Sequence, residues 1–326
     1  MKKLLCLLIC LCLLSGSVVF AAEGGDLAAR MDDFIDENDL DKDNFAVYYY
    51  NPSTKEEYTF NETAFLPAGE TWLLPLHMYY YEQETDGAFA PPKEDPLFVY
   101  TIGDMTLEEC RYHSLLLGEN EASLQMRDNL GSREQYLLLI NELYGHCDPD
   151  LLPDSYYSDG CYSAEYLMNC MRTVAERPEK FGNMMKNFSM IQTGDGLADY
   201  GYPYHLVHIR GEQDGFVCDL GEISGPTTYL LVCFASEDAG GDELVAQVNA
   251  LFCSYVEEQS GIVAETTAPR TDRERNETDF IVGSVGSQDN SEVLHWIAIS
   301  LGVLAALALV VGIIVWILHR RKDDRT

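Results

Sequence analysis

Residues 45–76 read FAVYYYNPSTKEEYTFNETAFLPAGETWLLPL. Residues 45–50 and 56–60 are aromatic and β-branched runs that read as two strands. Asn51, Pro52, Ser53 and Thr54 between them suit a tight hairpin turn. Pro67, Ala68 and Gly69 punctuate the chain ahead of a helical pattern over 71–84, which Pro75 is expected to bend or restart. Upstream, residues 27–35 have helical spacing. Downstream, helical patterns cover 119–130, 133–144 and 163–176, strand patterns cover 204–210, 216–220 and 229–235, and a closing helix is expected over 242–258. Strands, then a helical middle, then strands and a last helix predict an α+β fold (an α/β sandwich). One sheet is drawn from both ends of the domain, and the helices form a separate lobe.

The composition narrows the function. The 326 residues hold 54 Asp plus Glu against 21 Lys plus Arg, for a formal net charge of -33. An apolar content of 47% excludes a wholly disordered chain, and 25 Gly with 12 Pro exclude a fibrous repeat. An acidic surface of this kind excludes a nucleic-acid binder, which needs a basic footprint for phosphates.

The two ends decide the topology. Residues 1–21, MKKLLCLLICLCLLSGSVVFA, pair a positive start at Lys2 and Lys3 with an apolar stretch, and Val19 and Ala21 supply small residues before a cleavage point. This is the pattern of a secretory signal peptide. Residues 294–318 carry no formal charge, with Trp296 and Trp316 near the ends. As a helix they would be about 37 Å long, enough to cross a bilayer core. His319, Arg320, Arg321 and Lys322 follow at once, which puts the C-terminus in the cytoplasm. The expected order is therefore a signal peptide (1–21), an extracytoplasmic domain (24–260), a flexible stalk rich in Thr, Ser and Gly (261–293), one transmembrane helix (294–318) and a cytoplasmic tail (319–326). The expected location is the cell membrane, in a single pass.

Cysteines and histidines point to no cofactor and no metal. Outside the signal peptide seven cysteines remain: Cys110, Cys147, Cys161, Cys170, Cys218, Cys233 and Cys253. Seven is odd, and no CxxC spacing occurs, which removes thioredoxin chemistry and the common thiolate zinc sites. Cys170, Cys233 and Cys253 lie in apolar runs and read as buried small hydrophobes. His205 and His208 stand three apart on a strand pattern and so face opposite ways. His77 and His113 have no acidic partner at a telling spacing, and structural or surface roles are expected for all four. The runs Tyr48-Tyr49-Tyr50 and Tyr79-Tyr80-Tyr81 are expected to pack seams. Asn61, Asn187 and Asn276 sit in N-x-Ser/Thr patterns.

The element order and several local strings resemble the class A β-lactamase-like family of serine hydrolases, over about residues 26–259. In that family the segment before the nucleophile helix runs from Pro and small residues into Ser-x-x-Lys and then Leu-Pro-Leu. Here Pro67-Ala68-Gly69 lead into Glu70-Thr71-Trp72-Leu73, followed by Leu74-Pro75-Leu76. Glu70 takes the nucleophile position and Leu73 the lysine position. The family's Ser-x-Asn loop resembles Gly118-Glu119-Asn120, with only Asn120 retained. Its Lys-Thr-Gly edge strand resembles Gln192-Thr193-Gly194, with Thr193 and Gly194 retained. Asp148-Pro149-Asp150-Leu151 is similar to the loop that bears the deacylating glutamate, with Asp148 as a shortened carboxylate.

The resemblance implies a fold whose chemistry has been removed. Acyl transfer needs a hydroxyl, a base to take its proton and donors for the oxyanion. Glu70 has no hydroxyl, Leu73 is no base, Gly118 removes a second hydroxyl, and Gln192 removes a cation. The expected function is a pseudoenzyme acting in cell-surface binding or scaffolding, toward a cell-wall fragment, a peptide or a protein. Its binding candidates are Glu70, Glu119, Asn120, Thr193 and Gly194. Two alternatives remain open: a hydrolase of altered chemistry that pairs Glu70 with Glu119, and a spacer whose cleft is filled by Trp72 and Leu73.

Overall fold

The computed structural model describes residues 26–93, 95, 98–190, 195–198 and 204–261. Outside them lie residues 1–21, almost all of 261–293, residues 294–318 and 319–326, Asn276, and Gln192, Thr193 and Gly194. Among the described residues no helix is long and apolar enough to cross a membrane.

Helix α1 (Leu27–Glu37) opens the domain, its first turn capped by the Asp26 side chain on the Ala28 amide at 3.2 Å. Strands β1 (Phe45–Tyr50) and β2 (Glu57–Phe60) then form the expected antiparallel hairpin, with Tyr50 opposite Glu57. A two-residue strand β3 (Leu66–Pro67) leads into a 3-10 turn (Gly69–Trp72) and helix α2 (Leu73–Thr85). The helix thus starts two residues later than the pattern suggested. Pro75 falls in its first turn, where the missing N–H has no intrahelical partner to lose.

The lobe follows. A small hairpin, β4 (Thr101–Ile102) with β5 (Met105–Thr106), precedes α3 (Leu107–Arg111), α4 (Asn120–Asp128), α5 (Arg133–Ile140) and α6 (Asp154–Ser158). Short strand β6 (Cys161–Tyr162) pairs with β3, and α7 (Ala164–Glu176) and α8 (Pro178–Phe188) complete the lobe. Capping boxes start α3 (Thr106 with Glu109) and α5 (Ser132 with Gln135). Helices α3, α6 and α8 were not read from the sequence; α8 begins at Pro178, where proline suits a helix start better than a break.

The chain then returns to the sheet as β7 (His205–Gln213), β8 (Phe216–Ser224) and β9 (Thr228–Ser236), and closes with α9 (Gly241–Gln259). The sheet is antiparallel throughout, in the order β2-β1-β9-β8-β7. It combines strands from both ends of the domain, as expected. Alternate residues of β1 divide two cores, as strand geometry requires. Tyr48 and Tyr50 face the lobe with Leu74, Tyr136 and Tyr166, while Phe45, Val47 and Tyr49 face α1 and α9. All seven described cysteines are free thiols, and Cys170, Cys233 and Cys253 are buried.

Candidate functional site

The site lies where the start of α2 meets the outer edge of the sheet. Strand β7 is the edge strand, and its far end presses directly on residues 68–70. A Cβ at Gly211 would lie 2.2 Å from the Ala68 carbonyl oxygen and 2.5 Å from the Glu70 nitrogen. A Cβ at Gly69, whose φ is +53°, would lie 2.3 Å from the Glu212 nitrogen. Two backbones can meet this closely only where both lack side chains.

That contact orders the groups around Glu70. The Glu212 N–H donates to Glu70 Oε2 at 3.3 Å. The Gly69 N–H donates to Gln213 Oε1 at 3.3 Å, while Gln213 Nε2 donates to the Asp159 carbonyl at 2.6 Å. Gln213 therefore ties together the turn before α2, the end of β7 and the loop before β6. Glu70 itself is exposed, whereas Thr71 is buried, its hydroxyl donating to the Ala68 carbonyl at 2.9 Å. Trp72 and Leu73 are half-buried and pack against the core of the lobe. Arg210 on β7 is held by both oxygens of Asp242 at 2.6 Å and by Glu212 at 2.9 Å. These carboxylates raise its pKa further.

The second motif position stands on a loop after a π turn (Tyr112–Leu116), a wide turn often found beside functional sites. Gly118 has φ +64° with open space around it, so its backbone and not crowding selects glycine. Glu119 and Asn120 start α4 and are exposed. The Glu119 carboxylate lies 2.9 Å from His113 Nδ1, so His113 does have an acidic partner, six residues on. Glu119 also lines an open cavity of about 600 Å³ between the β4–β5 hairpin and α4, with Asp104, Met105, Glu121 and Gln125. Glu70 is not part of that cavity. The two carboxylates considered as a pair thus have separate partners, an amide for one and an imidazole for the other. Asp148 follows a second π turn (Asn141–Gly145) and caps its own short turn by accepting from the Asp150 amide at 3.0 Å.

Residues Gly196–Ala198, just past Gly194, pack on the rear of the sheet: Leu197 belongs to the core shared with α1 and α9. Their anchor is Asp219 on β8, fully buried, which accepts from the Leu197 amide at 2.9 Å and from His208 Nδ1 at 3.0 Å. Burial pushes the Asp219 carboxyl up from its ordinary value. His208 thus has the structural role expected. The residues the sequence reading missed are Gly211, Glu212 and Gln213. Their one signal was a glycine between charged residues, just past the strand pattern read over 204–210, which marks close backbone approach.

No family model matches the chain, and no curated protein matches it. Among solved structures, the ancestral (GNCA) class A β-lactamase superposes with TM-score 0.56 at 14% identity, over 70% of this chain and 99% of that one. The fold is β-lactamase-like. PBP-A gives TM-score 0.56 at 16% identity, over 71% and 96% of the two chains. A β-lactamase from Chitinophaga pinensis gives 0.54 at 15% identity, over 71% and 99%. The β-lactamase-like domain therefore spans essentially the full length of these neighbours, and at such identities the likeness concerns the fold alone.

Proposed function

We propose that this chain is a membrane-anchored, extracytoplasmic β-lactamase-like domain that has lost acyl transfer and uses its cleft for binding. The observation that carries the reading is the group at the nucleophile position. Glu70 sets a carboxylate on the Glu212 amide, and Leu73 sets an apolar side chain against the lobe. Glu70 supplies no hydroxyl, and Leu73 supplies no base for one. Loss of a nucleophile or its base in a serine hydrolase costs on the order of a millionfold in turnover.

The third motif position is better assigned to Ile209-Arg210-Gly211 than to Gln192-Thr193-Gly194. The close approach of Gly211 to Ala68 and Glu70 supports that assignment. In either placement the lysine is missing. The ligand class is an extended peptide or cell-wall fragment lying along the outer edge of β7, where backbone groups give affinity without catalysis. Anchoring is supported by residues 1–21 and 294–318 of the sequence.

The test is titration of the full chain with a fluorescent cell-wall peptide. Saturable binding that Glu70→Arg weakens about tenfold is expected, roughly 1.4 kcal/mol. Absence of binding, or hydrolysis of the peptide, would overturn the reading.

A further inference from the structure

Helix α2 carries a buried histidine that the cleft does not use. His77 is fully buried, and its Nε2 lies 2.9 Å from Ser114 Oγ in the first π turn. Ser114 Oγ lies 2.7 Å from Ser123 Oγ, and Ser123 Oγ donates to the Glu119 carbonyl at 3.5 Å. Each hydroxyl has one proton to give, so the chain has a direction. Ser123 spends its proton on Glu119 and accepts from Ser114. In that direction Ser114 accepts from His77, which places the proton on Nε2 and leaves Nδ1 a bare acceptor. Among the described residues no donor reaches that nitrogen.

The complementary shortage lies beside it. Arg111, only 8% exposed, is three residues before Ser114, and its guanidinium lies 3.9 Å from the centre of the Tyr81 ring. Tyr81 is four residues after His77. The pairs His77–Ser114 and Tyr81–Arg111 are therefore successive rungs between the same two stretches of helix. Arg111 Nη1 donates to Glu84 at 2.7 Å, but Nε and Nη2 have no partner among the described residues. The other neighbours fill neither need. Phe188 from α8 offers a ring edge to His77, and Asn187 donates its amide to the Tyr81 hydroxyl at 2.6 Å. Burial, helped by the Arg111 charge, takes His77 down to about 3, so the ring is neutral at physiological pH.

We propose that one enclosed water joins His77 Nδ1 to the Nε and Nη2 edge of Arg111. It completes a relay from Arg111 through His77, Ser114 and Ser123 to the Glu119 carbonyl. The occupant must both donate and accept, which water does and a chloride or carboxylate does not. A buried water typically makes about three hydrogen bonds, the number available here. The relay makes His77 a positioning residue: it fixes the loop bearing Gly118, Glu119 and Asn120 relative to the helix that begins beside Glu70. This holds whatever the cleft binds.

The test is nitrogen NMR of the full chain labelled with ¹⁵N-histidine. His77 is expected as the neutral Nε2–H tautomer at pH 5. In Arg111→Met its Nδ1 resonance should move downfield as the water loses its anchor, while Nε2 stays in place. Ser123→Ala should shift the Glu119 and Asn120 amides. Arg111→Lys, which keeps the charge but lacks the fork, serves if the methionine variant does not fold, and should move Nδ1 likewise. An Nδ1–H tautomer, or an Nδ1 resonance that stays unchanged in a folded Arg111 variant, would overturn the proposal.

Discussion

The rear of the sheet and the cleft at its edge are held together by different means. At the rear, Tyr49 of β1 stacks on Phe252 of α9 with ring centres 4.5 Å apart, among fully buried Phe45, Leu231 and Val245. Stability there comes from apolar area removed from water. At the cleft, Gly69 and Gly211 let two backbones touch, and side-chain hydrogen bonds of 3.3 Å decorate the contact. The backbone frame of the cleft therefore does not depend on which side chain stands at 70 or 73. On the proposed function, that independence lets a β-lactamase-like fold persist without the residues of acyl transfer.

The largest loss is expected at the rear: Phe252→Ala should cost about 3–5 kcal/mol in chemical denaturation through the cavity it leaves. Gly211→Ala should cost about 2–3 kcal/mol, because the new methyl meets backbone that cannot swing aside. A neutral result there would show that the two backbones are not in contact. A smaller, pH-dependent effect belongs to His77. Its folded-state value lies below the ordinary 6.5, so the unfolded chain binds the proton first. The stability it contributes is full above pH 6.5 and is lost as the pH falls from there towards 3. His77→Phe, if folded, should flatten that part of the stability curve.

The smallest effect is expected at Glu70. Glu70→Ser should change stability by no more than about 0.5 kcal/mol, since Glu70 is exposed and its one contact is long. A loss of about 2 kcal/mol would recast Glu70 as a strut between the α2 turn and β7.

Much of the fold was legible because its elements announce themselves locally. The aromatic and β-branched run of β1 and the Asn51–Thr54 turn specify the first hairpin, and the apolar run of β9 specifies a buried central strand. Helix α3 was missed because five residues show less than two periods, and α8 because Pro178 and Lys180 obscure its apolar stripe of Phe181, Met184 and Phe188. The cleft was half legible. Pro67 to Leu76 located Glu70 and Leu73, but nothing local said which strand would pass beside them. That depends on Gly211 and Gly69, distant in sequence, meeting only after the sheet is complete. The His113–Glu119 pair was hidden for a related reason: the π turn changes the spacing at which side chains meet.

The most direct measurement is intact mass of the full chain after incubation with penicillin G and a chromogenic cephalosporin. A mutant of PBP-A has been captured as an acyl-enzyme complex with penicillin G. An unmodified mass and no turnover are expected, because the proposed nucleophile position holds the Glu70 carboxylate and its neighbour Thr71 is buried with its hydroxyl committed to Ala68. A stable adduct, mapped to Thr71 or to any other hydroxyl near Gly69, would contradict that expectation.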